Sequence, residues 1–148
     1  MTKYDDASWH AGGDFPPELD SERACTHIAL FLGWAVDRGL GGDLLREEYG
    51  EMLEGFRARR LSPIELLHAA ADDKLTDEDL NDEGNAFTAE YFDSNLYYVD
   101  YAMALAGDLP SLYHVDCTWE NYDRMAKRID ERLAEWRSKR RLSDRNGE

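Results

Sequence analysis

The residues with the sharpest chemical spacing in this chain form a twelve-residue segment, Asp79–Glu90. Oxygen-bearing side chains occupy positions 1, 3 and 5, a glycine occupies position 6, and a glutamate occupies position 12. This is the spacing of a calcium-binding loop, which wraps about six or seven oxygen ligands round one ion. Glu83 at position 5 is longer than the usual ligand, Ala86 at position 8 is small, and no second copy follows. The alternative is the acidic N-terminus of a helix that starts near Asp77 and is stabilised by the helix dipole.

A second candidate site lies in the N-terminal segment, where His10 is close in sequence to Asp5, Asp6 and Asp14. A histidine with nearby carboxylates is suited to a metal site or to an acid–base pair. The other three histidines and the two cysteines lack the paired spacing of a metal site and are scattered: His27, His68, His114, Cys25 and Cys117. We therefore predict no catalytic residue, no metal ligand and no cofactor, and an enzyme of unrecognised type stays an alternative.

The charge of the chain is distributed very unevenly. Residues 1–123 carry 27 acidic and 8 basic side chains, whereas residues 124–148 carry 5 acidic and 9 basic ones. An acidic excess of this size opposes compactness and favours a basic partner, and it disfavours binding to nucleic acid. The densest acidic stretch predicts a partner-binding surface made of Asp72, Asp73, Asp77, Glu78, Asp79, Asp82, Glu83, Glu90 and Asp93. The alternative is a plain solvated face, and the basic C-terminal residues provide possible ion-pair partners within the chain.

The periodicity of apolar residues predicts the elements that position these groups. Helices are expected over about 22–38, 43–59 and 63–71, with a helical period continuing through 87–106. Ser62–Glu65 is a capping box with proline at the first helical position, and Thr76–Asp79 is a second capping pattern. The clearest stripe runs from Trp119 to Trp136, and Leu112–Val115 is the best strand candidate. The prediction is a mainly α, single-domain bundle of five to six helices with at most a small β element.

The length of 148 residues predicts one domain with a real core. We expect residues 1–22 to form an ordered N-terminal arm on the body, residues 23–140 to form the helical domain, and residues 141–148 to form a frayed tail. No apolar run approaches the about 20 residues that span a bilayer, and the first residues lack the pattern of a signal peptide. Two cysteines are too few for a disulfide framework, so we expect free thiols and a cytoplasmic location.

Several blocks of sequence resemble an uncharacterised bacterial domain family. They are Lys3–His10 with Gly12–Pro16, Thr26–Ile28, Glu78–Asn81, Glu83–Phe87, and Leu112–Val115 followed by Trp119–Asn121. The resemblance implies no activity and no site residues. In size, charge and helical content the chain is also similar to bacterial immunity proteins.

The function expected from the sequence is therefore that of an acidic protein-binding module. The preferred hypothesis is an immunity protein that neutralises a basic effector toxin, for example one that targets nucleic acid, by direct binding. The alternative is a metal- or small-molecule-binding protein that uses Asp79–Glu90 or His10 with nearby acids. The sequence leaves the oligomeric state open, and the final helix is compatible with a homodimer.

Overall fold

The computed structural model describes residues 2–145, which form seven α-helices and a two-stranded sheet. The helices are α1 (Ala7–His10), α2 (Thr26–Asp37), α3 (Asp43–Arg57), α4 (Pro63–Ala71), α5 (Asp82–Asp93), α6 (Leu96–Tyr101) and α7 (Trp119–Arg145), and the strands are β1 (Lys3–Asp6) and β2 (Lys74–Thr76). Shorter 3₁₀ turns cover Ser21–Cys25, Asp77–Asp79 and Leu112–His114, and a π-helical turn follows α6 over Ala102–Ala106. The predicted mainly α class is confirmed, although two of the seven helices, α1 and α6, are very short.

Helix α2 forms the centre of the core. Every residue from Thr26 to Val36 is buried, including the aromatic rings of Phe31 and Trp34. A helix that is apolar on all sides must be surrounded by other elements, and α2 packs against α3, α4 and α7. A polar side chain on such a helix therefore needs a partner inside the protein.

Local capping sets the starts of the neighbouring helices. The Ser62 hydroxyl accepts from the Glu65 amide while the Glu65 carboxylate accepts from the Ser62 amide, which confirms the predicted capping box of α4. The Asn81 side chain accepts from the Gly84 amide and caps α5. These caps fix the residues at which α4 and α5 begin.

The N-terminal arm is joined to the body by the sheet. Strand β1 pairs antiparallel with β2, with Asp5 opposite Leu75. The Asp6 carboxylate then accepts from the Ser8 amide and starts α1, so the chain turns sharply after the strand. The arm is thereby held over the start of α2, since α1 packs against the 3₁₀ turn Ser21–Cys25 and Asp5 contacts His27.

The strand predicted at Leu112–Val115 is wrong. Leu112–His114 is a 3₁₀ turn, because the Ser111 hydroxyl accepts from the Tyr113 amide and also bonds His114 Nδ1. Those bonds close the backbone locally instead of leaving it extended.

Helix α7 continues the predicted apolar stripe and extends beyond it. Tyr122, Met125, Ile129 and Leu133 are buried against the core. The helix continues to Arg145, so residues 141–145 of the predicted tail are helical and residues 146–148 lie outside the described part of the chain. Between residues 2 and 145, no helix has both the length and the apolar character needed to cross a membrane.

Candidate functional site: a buried histidine–aspartate centre

The carboxylate of Asp5 connects strand β1 to three helices, α1, α2 and α6. Its Oδ1 accepts a hydrogen bond from His10 Nε2 at 2.7 Å, and its Oδ2 accepts from His27 Nε2 at 3.0 Å. The Tyr98 hydroxyl donates to Oδ2 at 2.5 Å, and the Asp6 amide donates to Oδ1 at 2.8 Å. Asp5 is fully buried, so all four donors replace the water that its charge would otherwise require.

The two imidazoles come from different helices and point their Nε2 atoms at the same carboxylate. His10 ends α1 and His27 lies in the first turn of α2, and their rings meet edge-on with centroids 4.5 Å apart. The Nδ1 atom of His10 and the Tyr113 hydroxyl form a hydrogen bond at 2.7 Å, which fixes the orientation of the His10 ring. The Nδ1 atom of His27 is buried and has no partner within the described residues. We name Asp5, His10 and His27 the histidine–aspartate centre.

The electrostatics of the centre follow from burial and from these bonds. Burial alone would raise the pKa of Asp5, but hydrogen bonds from His10, His27 and Tyr98 outweigh it and hold that pKa well below its usual range. Burial lowers the pKa of His27 despite the hydrogen bond and charge of Asp5. Burial and the hydrogen bond to Asp5 raise the pKa of Tyr98. The centre is therefore an ionised carboxylate that faces a neutral buried imidazole.

These properties define which chemistry the centre can do. One ligand atom from each of its three residues lies within 4.8 Å of the other two, which is close enough to hold a single metal ion. Neutral imidazoles and a carboxylate are the ligand forms that zinc and other divalent transition metals bind. The Asp5–His10 pair is also an acid–base pair, and His10 has its side chain 17% exposed.

The sequence predicted part of this arrangement. Of the acids proposed to accompany His10, Asp5 contacts it, whereas Asp6 binds Lys3 and Asp14 is exposed. His27 was missed, because its neighbours in sequence give it no partner. The signal that identifies it is a lone histidine within the uninterrupted apolar run of α2.

The calcium loop that the sequence offered as an alternative at Asp79–Glu90 is not formed. Residues 82–93 are helix α5, so the side chains of Glu83 and Glu90 project from a regular helix instead of wrapping an ion. Asp79 precedes the helix and is buried, with its carboxylate accepting from the Thr76 amide at 2.9 Å. The alternative, an acidic helix N-terminus, describes this segment.

The nine acids predicted to bind a partner differ in the contacts that they make within the chain. Five of them bind groups of the same chain: Asp72 contacts Lys74, Asp73 contacts His68, Asp79 contacts the Thr76 amide, Glu83 contacts Arg137, and Glu90 accepts from the Trp136 indole. Within residues 2–145 no ion pair involves the other four, which are Asp77, Glu78, Asp82 and Asp93. Part of the acidic stretch is thus neutralised by α7.

A different group of acids stays exposed on α3. Glu47, Glu48, Glu51 and Glu54 are exposed and form no ion pair with any described residue. Glu48 and Glu78 line one surface depression together with Leu44, which is 53% exposed. We name these four α3 residues and Glu78 the α3 acidic face.

Comparison with known proteins gives a family and no function. Residues 3–115 match the family described as "Domain of unknown function (DUF7832)". No curated protein and no solved structure matches the chain. The matched region contains all three residues of the histidine–aspartate centre as well as Tyr98 and Tyr113, whereas helix α7 lies outside it. Because the match covers most of its length, the chain belongs to the DUF7832 family of domains of unknown function.

Proposed function

We propose that this protein binds one divalent transition-metal ion, of which zinc is the first candidate, at the histidine–aspartate centre. The observation that carries the proposal is that two imidazole Nε2 atoms, those of His10 and His27, lie 2.7 and 3.0 Å from the oxygens of one fully buried carboxylate, that of Asp5. This proposal departs from the sequence-based prediction of no metal ligand, and it follows the alternative of His10 with nearby acids.

The geometry is close to that of a zinc site. Tetrahedral ligands bound at about 2.0–2.2 Å lie about 3.3 Å from one another. The Asp5 and His10 atoms, now 2.7 Å apart, would need to separate by only about 0.6 Å. The Tyr98 hydroxyl, 2.5 Å from the same carboxylate, or a water molecule would supply the fourth ligand.

Burial favours a structural role for the ion. Asp5 and His27 are essentially inaccessible to solvent, and closed sites with protein ligands are typical of structural zinc. An ion here would join β1, α1 and α2, so its binding free energy would add to the stability of the folded arm. In this proposal the protein is not an enzyme.

Zinc binding to protein stripped with a chelator tests the proposal. At a zinc concentration about 100-fold above Kd, the expected stabilisation is about 2.7 kcal/mol, or a rise in melting temperature of about 8 °C. His10→Asn should remove one equivalent of bound zinc in calorimetry, because it deletes one of the three ligands. His10 is the least buried of the three, so this substitution disturbs the core least. His114→Asn is the matched control, since His114 lies outside the centre and contacts Glu18. An unchanged zinc stoichiometry in His10→Asn would mean that the centre is a metal-free hydrogen-bond network.

A second candidate function is the acidic protein-binding module, an immunity protein in the preferred form of that hypothesis. The α3 acidic face supports it, because its carboxylates are exposed and are not neutralised by described residues of the chain. A basic toxin would be attracted to this face, and Leu44 would provide apolar contact.

Salt-dependent capture from the native host, followed by association kinetics with the captured partner, tests this second function. Glu48→Lys with Glu51→Lys should slow association strongly, since the change reverses two charges on the proposed interface. Asp14→Lys with Asp108→Lys makes the same change of charge at other exposed positions and is the control. Equal slowing by both pairs would show that only the net charge matters.

A further inference from the structure

A second group of metal-ligand side chains lies where α4 ends against the start of α2. It consists of Cys25, His68 and Asp73, and one ligand atom from each lies within 4.8 Å of the other two. The group combines a sulfur, a nitrogen and an oxygen donor, whereas the histidine–aspartate centre contains no sulfur. We name it the cysteine cluster.

The backbone after α4 turns Asp73 back onto the helix it has just left. Asp72 and Asp73 both have positive φ values, 53° and 61°, which end the helix in the left-handed region. The Asp73 amide donates to the Leu67 carbonyl at 3.3 Å, and its carbonyl accepts from the Ala7 amide at 3.0 Å. With its backbone held on both sides, the Asp73 carboxylate accepts a hydrogen bond from His68 Nδ1 in the last turn of α4.

The other imidazole nitrogen of His68 already faces a carboxylate. His68 Nε2 lies 3.4 Å from Glu22 Oε2. Metal-binding histidines usually donate their second N–H to a carboxylate, which orients the ring and increases its basicity as a ligand. With Nδ1 on the side of Asp73 and Nε2 on the side of Glu22, His68 has the arrangement of a metal ligand with its supporting residue.

Exposure distinguishes ion binding from nucleophilic catalysis in this cluster. Cys25 is 3% exposed, so a substrate has no access to the thiol. The side chains of His68 and Asp73 are 39% and 40% exposed and form the solvent side of the cluster. An ion can therefore enter through these two residues and reach the sulfur behind them.

We propose that Cys25, His68 and Asp73 bind a thiophilic divalent ion of the zinc class, separately from the histidine–aspartate centre. On binding, the thiol releases its proton to solvent and the sulfur binds as thiolate. Thiolate and carboxylate together then neutralise the two charges of the ion, and a water molecule completes four-fold coordination.

Cobalt titration of the reduced, metal-free protein tests this proposal, because thiolate coordination gives a near-ultraviolet charge-transfer band that nitrogen and oxygen ligands do not give. The band should disappear in Cys25→Ser and persist in Cys117→Ser, the control for the other free cysteine. In His10→Asn, which disables the histidine–aspartate centre, the band should persist and saturate at one equivalent of cobalt. His68→Asn should weaken cobalt binding by about 10-fold or more.

The outcomes are decisive even where a variant fails to fold. The absence of the band in the wild-type protein, its survival in Cys25→Ser, or its loss in Cys117→Ser would overturn the proposal. If circular dichroism shows that Cys25→Ser is unfolded, the half-exposed His68 decides the question. A band with unchanged cobalt affinity in His68→Asn would equally overturn it.

Discussion

Asp5→Asn is the substitution that most strongly tests the physical basis of the histidine–aspartate centre. The variant keeps the size of the side chain but replaces one carboxylate oxygen with an NH₂ group. If that group takes the place of Oδ2, it faces two donors, the Tyr98 hydroxyl and His27 Nε2. Losing two charge-assisted hydrogen bonds at about 1.5–3 kcal/mol each predicts a loss of about 3–6 kcal/mol in the free energy of unfolding.

Rearrangement in the variant brings the expected loss towards the lower end of that range. The Tyr98 hydroxyl can rotate, and His27 can move its proton to Nδ1 and accept at Nε2. The moved proton then lies on the buried nitrogen that has no partner, so the relief is incomplete. We expect a loss of about 3 kcal/mol, equivalent to a fall in melting temperature of about 10 °C for a chain of this length.

Urea denaturation in the presence of a chelator measures this loss without any contribution from metal. Asp14→Asn, at an exposed position of the same arm, is the control and should change stability by less than about 0.5 kcal/mol. The difference in the free energy of unfolding between wild type and Asp5→Asn should have its maximum value near pH 7. Because the folded-state pKa of Asp5 is lowered, its contribution is present above the unfolded value of about 3.9 and is lost as the pH falls below it. A loss smaller than about 1 kcal/mol at pH 7 would refute the reasoning.

Three further substitutions test other parts of the structure. Gly33→Ala should lower the free energy of unfolding by about 1–3 kcal/mol in urea denaturation, because the added Cβ would lie 2.5 Å from Cζ of the buried Phe56 ring. Gly50→Ala is the control: its added Cβ has nothing within 4 Å, so the free energy of unfolding should stay unchanged or rise by up to about 1 kcal/mol. Equal effects of the two substitutions would contradict this explanation. Burial, with nearby acidic charges, raises the pKa of Asp79 to about 6, so its stabilising contribution is present below about pH 4 and lost as the pH rises through 6. Asp79→Asn should remove that pH dependence, worth about 3 kcal/mol, from the wild-type stability profile, and parallel profiles would contradict the assignment. Tyr113→Phe removes the hydroxyl that orients the histidine of the arm and should weaken zinc binding about 10-fold in calorimetry, and unchanged affinity would remove that role.

The parts of the fold that the sequence predicts are those set by local patterns. The Ser62–Glu65 capping box and the long stripe of α7 depend on residues a few positions apart, and both are confirmed. Leu112–Val115 was wrong because its apolar composition does not reveal that the Ser111 hydroxyl captures a nearby amide. Side-chain hydrogen bonds of this kind give the backbone an alternative to the hydrogen bonds of a strand.

The histidine–aspartate centre depends on long-range pairing, which a single sequence does not display. The centre forms because β1 pairs with β2, about 70 residues away, and this pairing turns Asp5 towards His27 on α2. The prediction of the partner-binding acids was limited in the same way, because the contacts of these acids are also long-range. The Glu83–Arg137 ion pair joins α5 to α7, and only the fold shows that this acid is already neutralised.

Anomalous diffraction from crystals grown with zinc tests the central claim, metal binding at the histidine–aspartate centre, most directly. We predict a zinc peak about 2.0–2.2 Å from the Nε2 atoms of His10 and His27 and from an oxygen of Asp5. The carboxylate would then have exchanged its two histidine hydrogen bonds for the ion. Zinc-saturated crystals in which Asp5 still accepts hydrogen bonds from both imidazoles, with no anomalous peak between them, would contradict the claim.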